Sequence, residues 1–68
     1  MPLVEVYEDK DAEEATYVSD FSFLPREGEY LSREVDGELL YYGVVEVWHR
    51  QIGAKEGFRS CIRVEVDD

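Results

Sequence analysis

The chain has a single cysteine, Cys61, and a single histidine, His49, among its 68 residues. One thiol excludes an intramolecular disulfide. One thiol and one imidazole are too few for a His/Cys zinc site within one chain. No window approaches the roughly 18 consecutive apolar residues of a membrane-spanning helix. The opening residues, Met1 to Val6, have neither a basic start nor a long apolar run, so no signal peptide is expected. A lone thiol also fits a reducing compartment, which makes the cytoplasm the expected location. Basic residues are scarce as well: 7 Lys and Arg stand against 17 Asp and Glu, a formal net charge of −10. Such a charge repels phosphate backbones and anionic membrane surfaces, so nucleic-acid and membrane binding are disfavoured and a basic protein surface is the natural complement.

What is present is apolar and aromatic. Hydrophobic residues make up 44% of the chain, with five Tyr, three Phe and one Trp, well above the level of disordered segments. At this length one domain spanning residues 1–68 is expected, close to the lower limit for folding alone. With no disulfide or metal to staple it, stability must come from an efficient core or from association.

The periodicity is that of strands. Leu3 to Tyr7 alternates Val4 and Val6 with Glu5. The run Glu8 to Glu14 is polar and reads as an acidic loop. Thr16 to Phe23 places Tyr17, Ser19, Phe21 and Phe23 on one side, expected to face inward. Pro25-Arg26-Glu27-Gly28 is a turn signal. Glu29 to Val35 is a short strand, and Asp36-Gly37 is the strongest hairpin signal in the chain. Glu38 to Gln51 is the longest strand, and Phe58 to Val66 the most regularly alternating, with Phe58, Ser60, Ile62, Val64 and Val66 on one face and Phe58 expected in the core. The long strand has no single apolar register. An extra residue near Val45-Glu46, a β-bulge, turns Tyr42 and Val44 inward first and then Val47 and His49. Five short strands, two turns and one bent strand predict an all-β fold, a small five-stranded SH3-like barrel, with an OB-like barrel or a curled antiparallel meander as the alternative.

The stretch Phe23-Leu24-Pro25-Arg26-Glu27-Gly28-Glu29-Tyr30, followed by Tyr42-Gly43-Val44-Val45-Glu46-Val47-Trp48-His49, resembles a loose set of small bacterial proteins of unknown function. Those share a Leu-Pro-Arg-x-Gly-Asp/Glu turn and a Tyr-x-Val-x-x-Val-x-His strand. The resemblance covers roughly residues 23–66, leaves out the acidic segment, and implies a small barrel without implying an activity.

Candidate chemistry is sparse. His49 is the only side chain titrating near neutrality, and a His49–Cys61 nucleophile pair needs both on one face, where the alternation puts them on opposite faces. The acids at Asp9, Asp11 and Glu13 are spaced as in calcium loops, but the sixth position, which requires Gly, is Glu14. No metal site, no cofactor and no catalytic residue is therefore expected, and the chain reads as a non-enzyme. The bulged register leaves Trp48, Tyr41 and Arg50 outside, with Arg59 and Arg63 across the sheet. Trp, Tyr and Arg are the residue types of interface hot spots. These five residues form the expected partner surface of a protein-interaction module or homodimer-forming barrel. Two alternatives follow from other features: an acidic nucleic-acid mimic that binds a basic partner, from the net charge, and a small enzyme using His49.

Overall fold

A computed structural model describes residues 3–67, so residues 1, 2 and 68 at the ends of the expected domain lie outside the described residues. The chain forms five strands and, among the described residues, no helix: β1 (Leu3–Tyr7), β2 (Tyr17–Asp20), β3 (Tyr30–Val35), β4 (Glu38–Gly53) and β5 (Gly57–Val66). They make one sheet in the order β2-β1-β5-β4-β3, curled into a half-barrel. The small all-β, barrel-like architecture predicted from the alternation is the one the chain adopts.

Local chemistry accounts for the turns. Asp36 (φ 52°) and Gly37 (φ 83°) both take positive φ, as a two-residue turn between right-twisted strands requires. The resulting β3–β4 ladder runs from Val35 opposite Glu38 to Tyr30 opposite Gly43. The predicted bulge is present: the β4–β5 register slips between Val44 and Glu46, so that Val44 faces Val64 and Glu46 faces Arg63. Before the slip Tyr42 and Val44 are buried; after it Val47 packs against the same core. His49 follows Val47 on the inner face but is exposed. The hairpin end of β4 and β5 runs past β1, whose first partner on β5 is Ser60, and there the inner-face residues His49 and Phe58 are exposed.

The core is Val4, Val6, Tyr42, Val44, Ile62 and Val64, with Tyr17, Phe21, Leu24, Leu31, Leu40 and Val47 around it. Two aromatics placed inward by alternation are outside it. Phe58 is 67% exposed on the overhanging hairpin. Phe23 is 83% exposed, because β2 ends at Asp20 and the alternation expected as far as Phe23 stops with it.

β1 pairs with β2 antiparallel and with β5 parallel. It is buried on both faces from Val4 to Tyr7, as strands with a parallel neighbour commonly are. The polar segment of residues 8–16 links β1 to β2 without helix or strand. The half-barrel stays open between its two edge strands: no Cα of β2 lies within 8 Å of a Cα of β3.

Candidate functional site

The outer face of the sheet is organised around Glu5. Strand alternation puts Glu5 and Tyr7 of β1 outside while Val4 and Val6 point in. Register then lines up Glu5 with Cys61 and Cys61 with Trp48, Tyr7 with Arg63 and Arg63 with Glu46, and Arg59 with Arg50. Two arginines directly opposite one another repel, and Glu5 lies between them. Its Oε2 is 2.5 Å from Arg50 Nη2 and 3.6 Å from Arg59 Nη1. Its Oε1 accepts from Arg50 Nε at 3.2 Å, from the Tyr7 hydroxyl at 2.8 Å and from the Cys61 thiol at 3.6 Å. Glu5 is only 5% exposed, and four donors with the added charge of Arg59 satisfy both oxygens, which is the condition for burying a carboxylate.

The titration behaviour follows from this geometry. The Arg50 hydrogen bonds hold Glu5 below the ordinary carboxylate range against the opposing effect of burial. Burial, reinforced by Glu5, pushes the Tyr7 hydroxyl and the Cys61 thiol up. Cys61 is fully buried and held as a thiol, which makes it a packing residue rather than a nucleophile.

Beside this cluster the Tyr7 and Trp48 rings pack at 5.1 Å between centroids, tilted by 44°. They floor an open cleft of about 290 Å³ whose rim includes Glu46, Arg63 and Lys10. Arg63 is not free to meet a ligand charge there: its guanidinium bonds Glu46 at 2.5 Å and Glu65 at 3.1 Å.

The structure places Trp48, Arg50, Arg59 and Arg63 together on this outer face, with every one of the three arginines in an internal ion pair. Tyr41 lies on the same face but on the other side of the bulge, near the β3 edge, 54% exposed. There it has company that alternation alone did not single out. Tyr30, 68% exposed, sits opposite Gly43 and diagonal to Tyr41. A β-carbon on Gly43 would lie 3.4 Å from the Tyr30 ring, so the glycine lets the ring lie close over the strand. Leu39, opposite Glu34, continues the same row, and Phe23 shares a surface groove with Tyr30. The pairing of a β-strand glycine with a cross-strand tyrosine was the available signal, and it depends on knowing the register.

His49 lies opposite Ser60, its Nδ1 3.5 Å from the serine hydroxyl, whereas Cys61 lies opposite Trp48 on the other face. Among the described residues no three His, Cys, Asp or Glu side chains converge as metal ligands. In the acidic loop, the Asp9 carboxylate accepts from the Asp11 amide and the Asp9 carbonyl from the Ala12 amide, a local turn of the kind Asp favours. No protein-family model, curated protein or solved structure matches this chain.

Proposed function

We propose that this chain is a non-catalytic protein-interaction module that binds through the aromatic margin beside β3. The observation that carries the reading is the exposed row of Leu39, Tyr41 and Tyr30, joined by Phe23, each more than half exposed and adjacent along one margin, where Phe58 and Val66 are exposed singly elsewhere. Single exposed apolar side chains are ordinary, but contiguous ones rimmed by polar residues mark interaction sites. Tyrosines supply large contact area at small entropic cost. Trp48 with Arg50, Arg59 and Arg63 then supports the sheet from the outside: the ring packs on Tyr7, and the arginines neutralise Glu5, Glu46 and Glu65. These three of the seventeen acids are not available to imitate phosphates, and among the described residues the side chain that His49 contacts by a hydrogen bond is Ser60. Neither observation favours the mimic or the enzyme.

The test is quantitative capture from extract with the wild-type chain and with a Tyr30→Thr/Tyr41→Thr variant, which keeps strand-forming residues at both positions. A protein retained stoichiometrically by the wild type and lost by the variant, and then reconstituted from purified components, supports the reading. An identical set of captured proteins overturns it. A homodimer belongs to the same reading if sedimentation shows it and the double variant dissociates it.

A further inference from the structure

The open side of the half-barrel presents two unpaired strand edges above an apolar hollow. Paired strands stand about 4.8 Å apart, so strands flanking a third stand about 9.6 Å apart. No Cα of β2 lies within 8 Å of a Cα of β3, which leaves room for that spacing, and a side chain of β3 reaches across: the Arg33 guanidinium carbon is 4.1 Å from the Tyr17 ring centroid, and its Nη1 is 3.3 Å from Glu8 Oε2. Both flanking strands are edges of the sheet.

On β3 the unpaired groups can be named. Val44 N–H donates to the Glu29 carbonyl at 2.8 Å, and Val35 and Glu38 flank the two-residue turn as a bonded pair. Alternation between these fixed ends commits Leu31, Arg33 and Val35 to β4 and turns the N–H and C=O groups of Tyr30, Ser32 and Glu34 outward to the seam. Below the seam lie Tyr17, Phe21 and Leu31 in a hollow of about 310 Å³. Asp20 lines it as well, Glu34 follows two residues beyond the lining Ser32 along β3, and its one arginine, Arg33, is already paired with Glu8.

We infer that the seam takes up an extended segment of another protein that alternates apolar and basic residues. Its backbone pairs with the outward groups of β3, its apolar side chains cover Phe21 and Leu31 beside the Tyr17 ring that Arg33 caps, and its basic side chains meet Asp20 and Glu34. This is strand addition, in which the main chain supplies affinity and alternate side chains supply specificity. A second copy of this chain fits less well, since each copy carries −10 and its own edge strands bring further acids. The inference rests on the interaction-module reading and names the partner's chemistry and the mode of capture.

The experiment uses a blocked eight-residue peptide of alternating valine and lysine, titrated into the isotope-labelled chain and followed by amide exchange. Expected are one-to-one binding and slowed exchange at Tyr30, Ser32 and Glu34, with Leu31 and Arg33, already bonded to β4, unchanged. The same peptide N-methylated at every second backbone nitrogen should lose binding. Reversing these two charges with Asp20→Lys and Glu34→Lys, both exposed and tolerant positions, should weaken the unmodified peptide by about tenfold. Equal binding of the N-methylated peptide, or protection centred on Trp48 and Arg63, overturns strand addition. If strand addition fails while the Tyr30→Thr/Tyr41→Thr variant still loses its protein partner, only this inference falls. If the peptide adds to β3 while that variant keeps every partner, strand addition stands and the aromatic-margin reading falls.

Discussion

Arg50 clasps Glu5 through two nitrogens, Nη2 to Oε2 at 2.5 Å and Nε to Oε1 at 3.2 Å. The two ends of this contact are not equivalent. The Glu5 side chain is 6% exposed and that of Arg50 49%, so removing the arginine strands a buried charge, whereas removing the glutamate leaves arginines that water can reach. Removing one partner of a buried pair is costly, while replacing both with apolar groups often is not. Arg50→Ala should therefore lower the stability measurably, because it leaves the buried Glu5 without its bidentate partner. The Glu5→Leu/Arg50→Ala double variant should be more stable than the sum of its singles by about 1 kcal/mol. Urea denaturation of the four proteins measures this, and strict additivity would contradict it.

The same cluster sets the pH limits of the fold. Glu5 has a lowered folded pKa, so its contribution is present above the unfolded value of about 4.3 and is lost as pH falls through the folded one. Tyr7 and Cys61 have raised folded pKa values, above the ordinary 10.0 and 9.0. Their contribution is complete below those ordinary values and is lost as pH rises through the folded ones. Stability should decline on both sides of a neutral plateau, the alkaline decline starting near pH 9. In Arg50→Ala the Glu5 carboxyl should titrate at higher pH, as followed by carboxyl NMR shifts; an unmoved Glu5 would contradict the role given to Arg50.

Cys61 should be silent to thiol reagents in the native state. It is fully buried and bonded to Glu5 and to the Arg59 carbonyl, so an aromatic disulfide reagent should label it only as fast as the sheet opens. Labelling should accelerate in Glu5→Ala, in step with its loss of stability. Complete native-state labelling within the mixing time would show that the thiol is accessible.

The Asp36-Gly37 turn should respond to substitution through backbone conformation alone, because open space surrounds Gly37. Gly37→Ala should cost about 1 kcal/mol by placing a β-carbon at φ 83°. Asp36→Asn should be neutral or stabilising by a few tenths of a kcal/mol, since Asn tolerates positive φ well. Thermal unfolding distinguishes the two, and an unchanged Gly37→Ala midpoint would contradict the turn assignment.

Much of the strand pattern was legible because it depends on local chemistry. Asp36-Gly37 specifies its turn, β5 alternates without interruption, and the conflict of registers around Val45 could be resolved only by a bulge. What was not legible depends on contacts distant in sequence. Glu5 reads as the polar step in an alternating strand, because its burial comes from Arg50, Arg59 and Tyr7 closing over it. The parallel pairing of β1 with β5 joins opposite ends of the chain and leaves no periodicity of its own. Phe58 alternates with the core residues of β5, but the sheet opposite it has ended. For the candidate surface, Tyr41 could be found from the sequence, while its neighbour Tyr30 emerged only once Gly43 was known to lie across from it.

The most direct test of the interaction reading is the dissociation constant of the reconstituted complex, measured by calorimetry with the wild-type chain and with Tyr30→Thr/Tyr41→Thr. A hot-spot tyrosine commonly costs about 2 kcal/mol or more when truncated, so the double variant should bind at least about thirtyfold more weakly with its fold intact by circular dichroism. An unchanged constant in a folded variant would contradict the assignment of the β3 margin as the binding surface.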